Sequence, residues 1–283
     1  MESINLSSLA TADISTELSQ VKMLAVDIDG TLTLNGRFSP QLLIALERLQ
    51  ATEIPVLLVT GRSAGWVESL ANYLPVTGAI AENGGCYMSR EVRCQILGNL
   101  KPKEISQHRE KLADCFWQLQ GSYAQLQESA DNRWRLTDWT FDLDKLSPSD
   151  LWEISAQCDR WGWSFTYSTI QCHIRPATQN KGTGIRQVVK KHFSGFFSGL
   201  KQSQILTIGD SPNDTEMFDP AEFPLSVGVA NIQEYVDRLT YQPAYITHQP
   251  EVNGFIEIVD ALLKSKSEAS QSNQMDILPN IFQ

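Results

Sequence analysis

The stretch AVDIDGTLTLNG, residues 25–36, places two carboxylates one residue apart at the end of an apolar run. That run, KMLAVD (22–27), is typical of a strand buried on both faces of a sheet. Side chains alternate along a strand, so Asp27 and Asp29 point the same way. Like charges this close repel, and burying either without a partner is costly. A surface turn would carry the pair harmlessly, so the rest of the chain has to decide.

The flanking sequence predicts strands and helices in alternation. Residues 39–51 begin with a Ser cap and Pro40 and then run apolar at helical spacing. Strand signals at 55–62 and 78–85 enclose a helix signal at 63–74. This order is typical of an α/β fold with a doubly wound, parallel, Rossmann-like sheet. Late in the chain we expect strands at 204–210, 224–229 and 243–247, and helices at 182–193, 214–218 and 254–265.

The middle of the chain predicts an inserted domain. Residues 86–178 break the α/β pattern, carry the signals of a smaller α+β unit and hold most of the tryptophans. We expect this unit to be a cap domain on the core. The predicted division is a polar N-terminal lead-in at 1–20, a core domain at 21–85 and 179–265, the cap domain at 86–178 and a polar C-terminal tail at 266–283.

Several cap residues invite a functional interpretation, but a structural one is favoured for each. We interpret Trp117 and Trp152 as filling the interior of the cap rather than stacking on a sugar. Arg133 and Arg135 alternate with a tryptophan and are expected on a solvated face. We interpret His173 as a structural histidine with its hydrogen bonds satisfied. For Glu82 and Asn83 in the core, a turn role and a substrate contact remain equally open.

Composition excludes several classes of function. The formal net charge is −10, and no long Lys/Arg run accompanies it, which argues against nucleic-acid binding. No apolar stretch approaches the length of a membrane span, and the N-terminus does not resemble a signal peptide. The five cysteines show no C-x-x-C spacing, so we expect reduced thiols and no zinc site. We expect a cytoplasmic protein, monomeric or homodimeric.

A divalent cation would resolve the repulsion within the first motif. Asp27 would ligate through its carboxylate and Asp29 through its backbone carbonyl, which frees the Asp29 side chain for proton transfer. Magnesium suits such an oxygen site and usually keeps waters and a substrate phosphate as its other ligands. We expect the site at the carboxyl ends of the strands, where open α/β sheets hold ligands.

Polar residues follow other predicted strands in the same way. Thr60 and Gly61 end the second strand with a hydroxyl and an exposed backbone N–H, which suit phosphoryl oxygens. In GDSPNDTEM (209–217), Asp210 and Asp214 lie just beyond a buried strand. QNKGTGI (179–185) adds a lysine, Lys181, before a helix as a point charge against these carboxylates.

Together these stretches resemble a known family. DIDGTLT, LLVTGR, NKGTGI and GDSPNDTEM are similar to the motifs of the haloacid dehalogenase superfamily, in that family's order. IAENGG (80–85), VGVAN (227–231) and THQPEVNGF (247–255) resemble more narrowly its Cof-type phosphatases. In those proteins an α/β cap lies between the second and third motifs and sets specificity, which matches the position of the insert here.

The resemblance implies a reaction and its residues. Asp27 would attack phosphorus and form an aspartyl-phosphate, which water then hydrolyses. Asp29 would protonate the leaving alcohol and later deprotonate that water. The phosphoryl group would be held by Thr60, Gly61, Lys181 and Asn213. Magnesium would be held by Asp27, the Asp29 carbonyl and Asp210, with Asp214 either a further ligand or a residue that orients the others.

The same resemblance leaves the substrate open. A sugar phosphate is the first expectation, because Cof-type phosphatases point that way. Phosphoglycolate follows closely, because ENGG (82–85) and the modest cap also resemble archaeal-type phosphoglycolate phosphatases. A tryptophan-lined cleft would favour a sugar, and a small Arg-lined one phosphoglycolate. A phosphomannomutase-like phosphomutase and a non-catalytic regulator that binds phosphometabolites are the further alternatives.

Overall fold

The computed structural model describes residues 7–9, 13–144, 146–193 and 200–277. Its strands are β1 (Ser7–Ser8), β2 (Met23–Val26), β3 (Val56–Val59), β4 (Gly78–Ala81), β5 (Cys86–Met88), β6 (Gln95–Ile96), β7 (Trp139–Asp142), β8 (Trp163–Tyr167), β9 (Gln171–Pro176), β10 (Ile205–Gly209), β11 (Ser226–Gly228) and β12 (Tyr245–Ile246). Its α-helices are α1 (Ser15–Gln20), α2 (Pro40–Ala51), α3 (Ala64–Tyr73), α4 (Ile105–Ser122), α5 (Pro148–Arg160), α6 (Lys181–Val188) and α7 (Glu251–Ile277).

The core sheet has the order β1-β12-β11-β10-β2-β3-β4-β5-β6 within the described residues. In this sheet order, every neighbouring pair from β1 through β2 to β4 is parallel. At the other edge, β5 pairs antiparallel with β4, and β6 pairs antiparallel with β5. The central strands MLAV and VLLV are buried throughout because they are apolar without alternation. The predicted α/β fold with a mainly parallel sheet is confirmed.

Apolar layers cover both faces of the core sheet. Along β2, Leu24 and Val26 belong to one cluster, which α2, α3 and α7 complete. Met23 and Ala25 face the opposite cluster, to which α6 contributes. Helix α2 begins as its sequence predicts, because Pro40 takes the first position and the side chain of the preceding serine accepts a backbone N–H. The strand ends therefore emerge from a rigid platform.

The inserted segment builds a separate antiparallel sheet of order β7-β9-β8. Helix α4 packs on β7 and β9, and α5 packs on β8. The apolar cluster between them is distinct from the two clusters of the core. The hairpin of β8 and β9 approaches the 3-10 segment Pro212–Met217 of the core, which brings the cap close to the predicted site.

The interpretation of Trp117 and Trp152 as interior residues of the cap is wrong. Their side chains are 59% and 78% exposed. Helix α5 turns Leu151 and Ile154 inward, and Trp152 lies on its opposite face. In α4 the neighbouring Phe116 takes the interior position instead. Leucine, isoleucine, cysteine and phenylalanine side chains fill the cap.

The boundary of the insert also differs from the predicted one. Strands β5 and β6 pair with the core sheet, so the chain leaves that sheet after Ile96 and not at Cys86. Within residues 123–142 the described structure has one strand, β7, preceded by the 3-10 turn Ala130–Trp134. The division into core and cap stays a prediction, now with its boundary near residue 97.

The chain ends are more closely held than a loose lead-in and tail would be. Strand β1 pairs with β12, and α1 packs on α7. The Nζ of Lys266 donates to the backbone carbonyl of Ser19 at 3.1 Å. Lead-in residues 1–6 and 10–12 and tail residues 278–283 lie outside the described part of the chain. Among the described helices, none combines the length and apolar character needed to cross a membrane.

Candidate active site

Three neighbouring strands of the core sheet deliver the predicted polar residues to one edge. Asp27 follows β2, Thr60 follows β3 and Asp210 follows β10, and these strands are adjacent and parallel. The register continues one residue beyond β2, because the backbone N–H of Asp27 donates to the carbonyl of Ile208 at 2.9 Å. The carboxyl ends of parallel strands meet at one sheet edge, so the spacing of the motifs in sequence becomes proximity in space.

Lys181 is the buried cation of this edge. It is the first residue of α6, and its Nζ lies 2.5 Å from Asp27 Oδ1 and 2.6 Å from Asp214 Oδ1. Burial lowers the pKa of Lys181, but the two carboxylates outweigh it and raise that pKa above its ordinary value. The side chain is therefore an ammonium that separates two carboxylates.

Asp210 is held by neutral donors. The hydroxyl of Thr31 donates to its Oδ1 at 3.1 Å, and the amide of Asn231 donates to its Oδ2 at 2.9 Å. Gly30 lies directly against this carboxylate at a φ of +85°, and a Cβ there would overlap Asp210. The glycine after Asp29 is thus required both by backbone conformation and by the approach of Asp210.

Asp214 has both oxygens engaged. Its Oδ2 accepts the backbone N–H groups of Asp210 and Ser211 at 2.9 and 3.0 Å, while its Oδ1 faces Lys181. These contacts fix the loop after β10 and the lysine at once. Of the two roles expected for Asp214, the geometry favours orienting the other residues over ligating an ion directly.

The carboxylates of Asp27, Asp210 and Asp214 each place an oxygen within 4.8 Å of the others. Burial is the main cause that raises the pKa of Asp27 to about 7, and burial together with Asp27 raises that of Asp210 well above its usual range. Lys181 is the one cation that contacts this cluster among the described residues. Oxygen donors with excess negative charge fit a hard divalent cation such as Mg²⁺.

Asp29 is held apart from this cluster by Arg62. The guanidinium forms two bonds to it, Nε to Oδ2 at 2.8 Å and Nη2 to Oδ1 at 2.7 Å. Thr60, whose Oγ1 accepts the backbone N–H of Arg62 at 3.1 Å, lies beside the pair. The two carboxylates of the first motif therefore have different partners, Asp27 a lysine on one side and Asp29 an arginine on the other.

Asn213 and Asn83 form a buried amide pair next to Gly61. The Nδ2 of Asn213 donates to Asn83 Oδ1 at 3.0 Å. The Nδ2 of Asn83 is buried and has no hydrogen-bond partner in the described part of the chain. A Cβ on Gly61 would lie 3.2 Å from that nitrogen. Asn83 thus points an unused donor at the predicted phosphoryl pocket, and its φ of +52° marks strained backbone.

Glu82 joins the core to the cap. Its carboxylate accepts the backbone N–H of Ala64 in the core and those of Leu136 and Thr137 in the cap, at 2.7–3.0 Å. Burial, with Asp138 as the next cause, raises the pKa of Glu82. The turn residue that sequence left open therefore anchors cap residues against the core rather than facing the pocket.

Arg135 contradicts the expectation of a solvated face. Its side chain is fully buried and donates to the carboxylates of Asp131 and Asp138 at 2.8–3.2 Å. Its Nη1 also donates to the carbonyl of Gly61 at 2.9 Å. Burial would lower the pKa of Arg135, but the carboxylates reverse this and raise it. Arg133, two residues earlier, is exposed and lies over a tryptophan ring, as expected.

His173 approaches the same loop from the cap. Its Nδ1 lies 3.0 Å from Asp138 Oδ2, and a Cβ on Gly61 would lie 2.9 Å from its Cε1. Burial is the main cause that lowers the pKa of His173. The ring is buried with a hydrogen bond, as expected of a structural histidine, yet it also lines the site.

The pocket between core and cap is nearly closed. Its space is about 10 Å³, which is about enough for a single water. No tryptophan is among the described residues that line it. From the core it is lined by Asp27, Asp29, Thr60, Gly61, Arg62 and Asn213, and from the cap by Ser168, Ile170, Gln171 and His173.

The structure thus brings all the predicted site residues together. Sequence analysis did not assign Arg62, Arg135 or His173 to the site, and it left a substrate contact of Asn83 open. Arg62 had a signal, because it directly follows Thr60 and Gly61 in LLVTGR. No sequence signal indicated that the cap residues Arg135 and His173 belong to the site, because their contacts with the core join segments that are far apart in sequence.

Comparison with known proteins identifies the family of this chain. Residues 24–138 and 142–258 match the haloacid dehalogenase-like hydrolases. The chain belongs to this family. A phosphoglycolate phosphatase of Methanothrix thermoacetophila is 30% identical over 250 residues, covering 85% of this chain and 96% of that protein. Phosphoglycolate phosphatase 1 of Saccharolobus solfataricus is 28% identical over 250 residues, covering 87% of this chain and 97% of that protein.

Solved structures show the same fold for this hydrolase. A Thermoplasma acidophilum protein superimposes with a TM-score of 0.67 at 19% identity, covering 86% of this chain and 98% of that one. The sucrose-phosphatase of Synechocystis sp. PCC6803, solved with sucrose and phosphate, gives 0.63 at 17% identity over 86% and 98%. The family match and the phosphatase relatives, which this chain covers almost in full, make this chain a phosphatase.

Proposed function

We propose that this hydrolase cleaves a small phosphate monoester in a Mg²⁺-dependent reaction through an aspartyl-phosphate. The observation that carries the proposal is the separation of the two carboxylates of the first motif. Asp27 lies inside with Lys181 and the other acids, and Asp29 lies 13% exposed at the pocket wall with Arg62. One carboxylate is placed as a nucleophile and the other as an acid/base.

The chain's own groups divide the reaction between them. Asp27 attacks phosphorus while Asp29 gives a proton to the leaving oxygen. Asp29 then takes a proton from the water that hydrolyses the aspartyl-phosphate. Lys181 and the hydroxyl of Thr60 hold phosphoryl oxygens, and the free Nδ2 of Asn83 adds a donor on the side of Gly61. These groups are fixed before the substrate arrives, which lowers the cost of reorganisation.

Magnesium would be held by Asp27 and Asp210 with the backbone carbonyl of Asp29, while Asp214 positions Lys181. When bound, the ion would neutralise charge on the phosphoryl oxygens. Its fit rests on the excess of buried carboxylates over cations at the sheet edge.

For the substrate we favour phosphoglycolate over a sugar phosphate. The pocket lining contains Arg62 and, among the described residues, no tryptophan. Both curated relatives compared above are named phosphoglycolate phosphatases. The sugar-phosphate expectation came from the resemblance to Cof-type phosphatases. A tryptophan-lined cleft would have favoured it, but Trp117 and Trp152 are exposed and do not line the pocket.

The test is a phosphate-release screen over phosphoglycolate and hexose, pentose and disaccharide phosphates, with Mg²⁺ and with EDTA. We expect Mg²⁺-dependent release, highest with phosphoglycolate. Asp27→Asn should lower kcat at least about a thousandfold, whereas Asp159→Asn on the exposed face of α5 should not change it. Isomerised ester without free phosphate would indicate a phosphomutase. Binding without turnover would indicate a regulator, and turnover in EDTA would contradict the metal.

A further inference from the structure

His173 is one of the cap residues that line the pocket. It lies on β9, the middle strand of the cap sheet, between Thr140 and Thr166 on the neighbouring strands. The edge of the imidazole ring lies against Gly61, and a Cβ on that glycine would take up the space that the ring fills. The ring therefore lines the pocket beside Gly61.

The orientation of this ring is fixed from behind. Asp138 accepts a hydrogen bond from Nδ1, and Arg135 holds Asp138 with Nη1 at 2.9 and 3.1 Å from its two oxygens. In the described part of the chain Nε2 has no hydrogen-bond partner. An imidazole that gives its Nδ1 proton to a carboxylate presents Nε2 to the pocket, and an anion there favours a second proton on the ring.

Ser168 provides a second free group beside it. The residue is buried at the tip of the β8–β9 hairpin, and its Oγ accepts the backbone N–H groups of Ile170 and Gln171 at 3.1 and 3.3 Å. Its own hydroxyl proton has no acceptor among the described residues. A hydroxyl with both incoming bonds made has only a proton left to give.

The remaining polar cap residue at the pocket is already engaged. Gln171 accepts from Arg135 at 2.9 Å and donates to Asp131 at 3.3 Å. No carboxylate of the described cap residues lines the pocket. The cap therefore offers the Ser168 hydroxyl as one donor, Nε2 of His173 as a second donor once the ring takes up a proton, and an apolar neighbour in Ile170.

We propose that His173 Nε2 and the Ser168 hydroxyl form a subsite for a carboxylate on the leaving group of the substrate. This inference rests on the proposed function and assigns the residues that select a short phosphorylated acid. A carboxylate accepts from both donors at once, whereas an alkyl group of equal size leaves both unpaired. The selection then comes from buried polar groups that only the acid satisfies.

The test compares phosphoglycolate with ethyl phosphate, which has the same length but no carboxylate. His173→Asn keeps a donor for Asp138 and loses the pocket nitrogen, and His173→Gln places a donor at the pocket instead. Ser168→Ala removes the hydroxyl at the hairpin tip. The matched control is His248→Asn, an exposed histidine outside the pocket.

We expect the wild-type protein to prefer phosphoglycolate in kcat/KM. In His173→Asn the preference should fall about 10- to 100-fold, the value of hydrogen bonds to a charged group, because kcat/KM should fall more for phosphoglycolate than for ethyl phosphate. Ser168→Ala should lose part of the preference, and His173→Gln should keep more of it than His173→Asn.

Three results would overturn the subsite. The first is a wild-type protein that hydrolyses both esters equally, which leaves the phosphatase proposal intact. The second is an unchanged preference in Ser168→Ala and His173→Asn. The third is an equal loss with both esters in variants whose Tm matches the wild type. Phosphate release from neither ester would instead contradict the proposed function, and the subsite with it.

Discussion

Asp29 and Arg62 form a two-bond ion pair at the mouth of the pocket, with N–O distances of 2.7 and 2.8 Å. The arginine is part of the loop that carries Thr60 and Gly61, so one segment both lines the phosphoryl pocket and aligns the proposed acid/base. Planar two-point contact restricts the carboxylate far more than a lysine would.

Arg62→Gln is expected to lower kcat about tenfold with ethyl phosphate, because Asp29 loses the partner that aligns it. Acetyl phosphate should lose less, since its leaving group needs little protonation. Arg62→Lys should fall between, because it keeps the charge but not the paired bonds. Steady-state kinetics on both esters measures the difference. Equal losses on the two would show that Arg62 does not act through Asp29.

Lys181→Met should lower the free energy of unfolding by about 3–5 kcal/mol without Mg²⁺, because two buried carboxylates lose their cation. Urea denaturation measures this. Lys264→Met is the control, since that lysine is 76% exposed in a 4.0 Å pair with Glu268, and its effect should stay within about 0.5 kcal/mol. Adding Asp214→Asn to Lys181→Met should recover part of the lost free energy of unfolding. If it recovers none, unpaired charge is not the cause of the loss.

Arg135 and Arg133 give a matched pair two residues apart. Arg135→Met should lower the free energy of unfolding by about 3–5 kcal/mol, because Asp131 and Asp138 stay buried without their donor. Arg133→Met should cost no more than about 1 kcal/mol, the range of an exposed stack on an aromatic ring. Thermal or urea unfolding compares the two. Similar values for both would contradict the buried network.

Gly61→Ala tests the contact between the phosphoryl loop and the cap. The added methyl would lie 2.9 Å from His173 Cε1, so the ring or the loop has to shift, at about 1–3 kcal/mol of stability. In the His173→Asn background the same change should cost at least about 1 kcal/mol less. Gly121→Ala in α4, where no atom lies within 4 Å, is the control. If the effects of the two substitutions on stability were simply additive, the contact between Gly61 and His173 would be contradicted.

Sequence was sufficient for the core because its signals are local. Apolar runs without alternation mark buried parallel strands, and the polar residues at their ends have to meet at one edge. Asp27, Thr60 and Asp210 were found in this way. Lys181, at the start of α6, was expected as a point charge against these carboxylates, and its ammonium contacts Asp27 and Asp214.

The cap resisted the same approach. Arg135 reads as a surface residue because its partners, Asp138, Gln171 and the Gly61 carbonyl, include groups far away in sequence. Trp152 was expected in the interior of the cap because tryptophan is a large aromatic residue. Helical spacing instead turns Leu151 and Ile154 toward the interior. Whether a residue of the insert is buried depends on the surface against which the insert packs. The local sequence pattern carries no information about that surface.

Glu82 also bears on how the cap opens. The chain enters the cap near Gly98 and leaves it near Thr178, and Glu82 adds a third attachment through the backbone of Leu136 and Thr137. The pocket as it stands has no room for a phosphoester. With one side of the cap fastened at Glu82, admission of substrate is expected as a rotation about that side. The ion pair of Arg175 with Glu216, 3.4 Å long, joins the predicted cap to the core and is one of the contacts that such a rotation would separate.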